Sequence, residues 1–124
     1  DIVWVIADAE DHCIGHCGLY KIDFINGVAD IAKCIGTSSF RRGQSREILK
    51  LIGSYAFKKL NLRKLRGEVL GSNKMAINFN KKYGMKEECV LRDQEYRNGK
   101  YEDVHVFGLM GRDWNPEMVK RLAD

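Results

Sequence analysis

Apolar and polar positions alternate along the first third of the chain and then change to a helical period. Residues 2–8, headed by Ile2-Val3-Trp4-Val5-Ile6, predict a strand, Glu10-Asp11 a polar turn, and 13–23 (CIGHCGLYKID) a second strand. Asn26-Gly27 is a type I′ hairpin signal. After it, 28–36 (VADIAKCIG) forms a third strand, with Val28, Asp30, Ala32, Cys34 and Gly36 on one face. Connections this short make the three strands antiparallel.

Thr37 to Gly43 is a polar, basic loop. From Gln44 onward Ile48, Leu51, Ile52, Tyr55 and Leu60 recur at helical spacing, with Lys50, Lys58 and Lys59 outward and Asn61-Leu62 closing the helix. Residues 64–70 (KLRGEVL) predict a strand. Ser72 or Asn73 then caps a helix that carries Met75, Ala76, Phe79 and Tyr83 and stops at Gly84, suited to a left-handed C-cap. Residues 86–96 and 101–110 make a hairpin around Asn98-Gly99, and the tail from Arg112 predicts a short helix entered at Pro116. The order is β-β-β-α-β-α-β-β. That is an α+β class with a mixed, largely antiparallel sheet and one parallel junction at its strand-helix-strand crossover.

Length and composition narrow this further. A chain of 124 residues with a single proline, no repeat and no linker-like tract predicts one domain, 1–124. It opens at Asp1 inside a strand, so residues upstream are expected to have been lost. No apolar run reaches the roughly 18 residues of a membrane helix. Cys13, Cys17, Cys34 and Cys89 come without a signal peptide, which predicts a reduced, cytoplasmic protein. His12-Cys13 and His16-Cys17 invite a metal reading, but their side chains divide between two faces of a strand and do not converge on one ion, so no metal is expected.

The formal charge of +4 gathers in two places, Arg41, Arg42, Arg46 and Lys50, then Lys58, Lys59, Arg63, Lys64 and Arg66. Nucleic acid is the weakest of the anionic partners this admits, since no recognition motif is present. A nucleoside-triphosphatase loop is excluded because Gly-Lys-Ser/Thr does not follow Gly43. A cofactor carrying several phosphates fits the first cluster, and a solvated helix face fits the second.

Three stretches in order carry a resemblance that covers nearly the whole chain. IGTSSFRRGQS resembles the phosphate-binding loop of the GNAT N-acetyltransferases, EVLGSNKMAINFNKKYGMKEE their strand-turn-helix-strand, and LRDQEYRNGKYEDVHVFGLM the closing hairpin of the branch with ribosomal-protein and nucleotide-sugar N-acetyltransferases. The resemblance implies an αβα-layered acetyl-CoA-binding fold, here without the family's N-terminal strand and helices. It also implies acetyl transfer from acetyl-CoA to a primary amine: a protein N-terminus, an amino sugar or a small amine. The alternative is an acyl-CoA-binding regulatory protein without catalysis. A homodimer would cover the edge left by the first strand.

By the same resemblance Arg41, Arg42, Gly43, Gln44, Ser45 and Arg46 hold the cofactor's pyrophosphate at a helix N-terminus, where free N–H groups and the helix dipole favour anions. The backbones of Cys34, Ile35 and Gly36 pair with its pantetheine arm, and Asn73 contributes to the same site. Asp30 and Glu68 are the candidate bases, each equally readable as a surface strand residue. Phe40 and Ser45 depart from the loop pattern. Asn80 stands where the family often places an acidic tyrosine, and its carboxamide donates a hydrogen bond but no acidic proton. Tyr83, one turn on, is expected in the core.

Overall fold

The computed structural model describes residues 1–7, 9–35 and 44–117. Their elements follow the expected order: β1 (Ile2–Ala7), β2 (Cys13–Asp23), β3 (Val28–Ile35), α1 (Gln44–Ser54), β4 (Lys64–Leu70), α2 (Lys74–Lys82), β5 (Lys86–Arg97) and β6 (Lys100–Met110). The strands form one six-stranded sheet in the order β1-β2-β3-β4-β6-β5. All neighbours are antiparallel except β3 and β4, the pair joined through α1. The expected parallel junction therefore stands at the centre of the sheet.

Alternation decides which face is buried. Leu65 opposes Leu109, and Gly67 opposes Phe107, so these residues share one face of the sheet. Leu65, Leu109 and Phe107 are buried there in a single core with Cys17, Leu19 and Ala29 of β2 and β3. Ile48, Leu49 and Ile52 of α1 and Ile77 of α2 belong to the same core, so both helices cover this face. The described residues thus build two of the three expected layers. Val3 and Val5, on the other face, are 53% and 69% exposed.

Several local expectations are revised. Leu51 was expected on the apolar stripe of the first helix but is 53% exposed, while Leu49 is buried. The helix also does not run evenly to its end: one π-helical turn, Tyr55–Lys59, follows Ser54, with Leu60 N–H donating to Tyr55 O at 3.0 Å. That extra residue per turn carries Ala56 into the core and places Tyr55 edge-on to Trp4 at 5.2 Å. The turn after β2 is not type I′, because Asn26 lacks positive φ. Instead the Asp23 carboxylate accepts from the N–H groups of Ile25 and Asn26, at 3.0 and 2.9 Å, and Gly27 takes φ +71°. Asn98 and Gly99 do adopt the paired positive φ of a type I′ turn. Gly84, at φ +92°, ends α2 as expected, and Tyr83 is buried beside Phe79. Residues 118–124 of the expected tail helix lie outside the described residues.

Candidate active site

β3 and β4 pair over three rungs only, Val28↔Lys64, Ala29↔Leu65 and Asp30↔Arg66. Beyond Asp30, β3 continues to Ile35 along β2, while β4 continues from Gly67 to Leu70 along β6. Each strand stays with its outer neighbour, and the two part. The opening lies beside the end of β3, where the resemblance places backbone groups that pair with the pantetheine arm.

Into this opening runs a cavity of about 320 Å3. Ile31 and Ala32 line it from β3, Gly67, Glu68, Val69 and Leu70 from β4. Because successive strand residues point to opposite faces, a lining that takes consecutive residues of both strands passes through the sheet. Ile48, Leu49 and Ile52 wall it on the helix-covered side, with Phe79, Asn80 and Met85 from α2 and the turn after it. The cleft lining is mostly apolar with a few polar groups, as in small-molecule sites.

The polar lining groups are Glu68, Asn73 and Asn80. The side chain of Glu68 is 52% exposed, and Arg66 Nη2 stands 3.9 Å from its Oε1. Asn80 is half-buried on α2, one carboxamide at the cleft wall. Asn73 is the N-cap of α2, its Oδ1 accepting from Ala76 N–H at 3.2 Å. The turn that presents Asn73 is tied to β6: Gly71 N–H donates to Asp103 O at 2.9 Å and Ser72 N–H to Glu102 Oε1 at 3.1 Å. Hydrogen bonding from Ser72 holds the Glu102 carboxyl below its ordinary range. Beside this turn His105 pairs with Glu87 across β5 and β6, and the hydrogen bond from His105 likewise lowers Glu87.

The predicted site residues divide as follows. Glu68, Asn73 and Asn80 come together on the cleft. Asp30, the other candidate base, does not line it; its carboxylate accepts from Arg66 Nη1 at 2.7 Å. Of the two candidate bases, then, Asp30 is held close by a guanidinium away from the cleft lining, and Glu68 stands on the cleft. Cys34 and Ile35 close β3 opposite His16 and Gly15 of β2, with their β4-facing edge beyond the last shared rung. Gln44, Ser45 and Arg46 form the first turn of α1, and Arg46 Nε is buried with no hydrogen-bond partner among the described residues. Gly36, Arg41, Arg42 and Gly43 lie outside the described residues. The second basic cluster is spent on local contacts: Lys64 pairs with Glu88 at 2.8 Å, Arg63 Nε donates to Asn26 O at 3.0 Å, and Lys58 lies over Trp114 at 5.8 Å.

Sequence reasoning passed over Gly67 and Arg66. Gly67 is a glycine within a strand, a sign of close approach by another group. Arg66 was counted with the solvated charges, and only the strand register reveals its carboxylate partner.

A mixed sheet whose central parallel strands part over a cleft, with helices covering one face, defines the chain as an α+β domain with its cleft at the middle of the sheet. The profile of the acetyltransferase (GNAT) domain matches residues 1–86, and the chain belongs to that family. It is 31% identical over 110 residues to the uncharacterized N-acetyltransferase p20 of Bacillus licheniformis, covering 89% of this chain and 62% of that protein. To the spermidine N(1)-acetyltransferase of Vibrio cholerae it is 30% identical over 101 residues, covering 82% and 58%. The chain therefore spans about three fifths of the length of these relatives. Among solved structures, spermidine/spermine N-acetyltransferase SpeG from Vibrio cholerae, in complex with manganese ions, superposes with a TM-score of 0.83 at 28% identity, over 88% of this chain and 64% of that one.

Proposed function

We propose that this chain is the catalytic part of an acetyltransferase that moves an acetyl group from acetyl-CoA to a primary amine. The observation that carries the reading is the through-sheet cleft with Glu68 on it. When bound, acetyl-CoA supplies the acetyl group as an activated thioester.

The residues suit that ligand. The facing edges of β3 and β4 beyond Asp30 offer backbone groups to an extended arm in the manner of an added strand. Ile48, Leu49, Ile52 and Phe79 give the arm an apolar wall. Backbone N–H groups at the start of α1 suit phosphate oxygens. Glu68 points to the face of the sheet that the two helices leave open, so the amine reaches the cleft from that side. There the carboxylate takes the ammonium proton, directly or through one water, and the neutral amine is free to attack. Asn80 orients by hydrogen bonding and supplies no acidic proton, which leaves the departing thiolate to be protonated by water. The whole acts from a fixed geometry, holding the two reactants in line.

The names of the relatives make polyamines the first acceptors to try, beside amino sugars and peptide N-termini. Thiol release from acetyl-CoA, followed across such a panel, is expected to rise above hydrolysis for at least one amine. Acetyl-CoA binding without release for any amine would favour the second reading, a cofactor-binding regulatory protein, for which the carboxamide at Asn80 speaks.

A further inference from the structure

The strands that form the cleft separate after one particular rung, Asp30↔Arg66. Parallel strands with free edges tend to go on pairing, so something must hold the parting point. Two side-chain features single out this place. On the open face, Arg66 Nη1 donates to Asp30 Oδ1 at 2.7 Å across the last rung, the two side chains being 33% and 22% exposed. On the helix-covered face, the next residue of β4 is Gly67, and Ile31 Cγ1 and Met85 Cε lie 3.7 and 3.8 Å from where its Cβ would stand. One feature ties the strands at the rung, and the other brings Ile31 and Met85 beside β4 where the cleft begins just past it.

We propose that the Asp30–Arg66 ion pair is a positioning device that fixes the depth of the cleft and the place of Glu68 on it. Glu68 follows Arg66 by two residues and faces the same way, so any shift of the last rung moves its carboxylate against the thioester position. The same guanidinium reaches Glu68 Oε1 at 3.9 Å and restrains it further. Arg66 touches no reacting atom; it is a positioning residue. This assigns Asp30 to the frame of the site in place of the proton-accepting role, and it rests on the acetyl-transfer reading above.

A charge exchange tests it. The set is Asp30→Asn, Arg66→Met, Arg66→Lys, and the double variant Asp30→Arg with Arg66→Asp, assayed with the wild type for turnover and for amide hydrogen exchange at 28–30 and 64–66. The two single neutral variants are expected to lose kcat roughly tenfold, with the KM for acetyl-CoA changed far less, as misplacement without loss of binding predicts. Arg66→Lys and the exchanged pair should recover most of that loss, and amide exchange at the last rung should quicken in Arg66→Met and slow again in the exchanged pair. Neutral variants with wild-type kcat and exchange would overturn the inference. So would an exchanged pair no better than Asp30→Asn alongside a fully active Arg66→Lys, because Asp30 would then act directly. If the wild type itself fails to bind or turn over acetyl-CoA, the functional reading falls, while the exchange data still judge the pin.

Discussion

Glu68 and Asp30 look alike in the sequence: each is an acid on a predicted strand next to the expected cofactor arm. The register of β3 and β4 separates them, since Asp30 sits on the last shared rung against Arg66, and Glu68 sits past it on the open cleft. Replacing Glu68 by Gln is therefore expected to lower kcat about 100-fold, the range of a lost proton acceptor, with acetyl-CoA affinity kept. Equal losses in kcat and in cofactor affinity would mean that Glu68 shapes the cleft and takes no proton. That distinction was not legible in the sequence, because a one-rung difference in where two strands part has no local signature. Asn80, in contrast, was singled out by the resemblance and does line the cleft, and Tyr83, expected in the core, is buried at the end of α2.

Among the elements, those with strong local signals were read well and those shaped by contacts were not. The Asn73 cap, the Gly84 stop and the Asn98-Gly99 turn follow from backbone preferences that act within a few residues. The π-helical turn at Tyr55–Lys59 follows from how the end of α1 meets the sheet and Trp114, whose ring would lie 2.5 Å from a Cβ on Gly53. No period in the sequence announces it. Asn73→Ala removes the side-chain acceptor of the α2 cap and is expected to cost about 1 kcal/mol of stability, measured by denaturant melts. The β2–β3 turn makes a pH prediction. Hydrogen bonds from Asn26, and less so Ile25, hold the Asp23 carboxyl below its ordinary value of 3.8. A depressed folded-state value means that the turn's stabilisation is complete above the ordinary value and lost as pH falls through the lowered one. The melting temperature of the wild type should then fall more steeply with acid than that of Asp23→Asn, and parallel curves would contradict this.

For the whole molecule, the sheet gives a physical reason for the proposed chemistry to sit at its centre. Among the described residues five strand pairings bind the sheet, and the parallel one, of three rungs, is the shortest, so the opening lies at the shortest seam of the sheet. One side of the sheet is covered by α1 and α2, and the other presents Glu68, so in the proposed reaction the cofactor and the acceptor would have separate approaches. The fold class and the order of elements along the chain were legible in the sequence, because alternation and helical period report the elements directly. A phosphate-binding loop is implied only by the resemblance, and its residues 36–43 lie outside the described residues. The central claim is that the cleft between β3 and β4 binds acetyl-CoA. Calorimetric titration of the chain, with Gly67→Ala and Gly67→Leu beside the wild type, tests it most directly. A Cβ on Gly67 meets only ordinary contacts, whereas a leucine would fill the cleft. The account predicts binding by the wild type and Gly67→Ala, and none by a folded Gly67→Leu. Equal binding by all three would place the ligand elsewhere and contradict it.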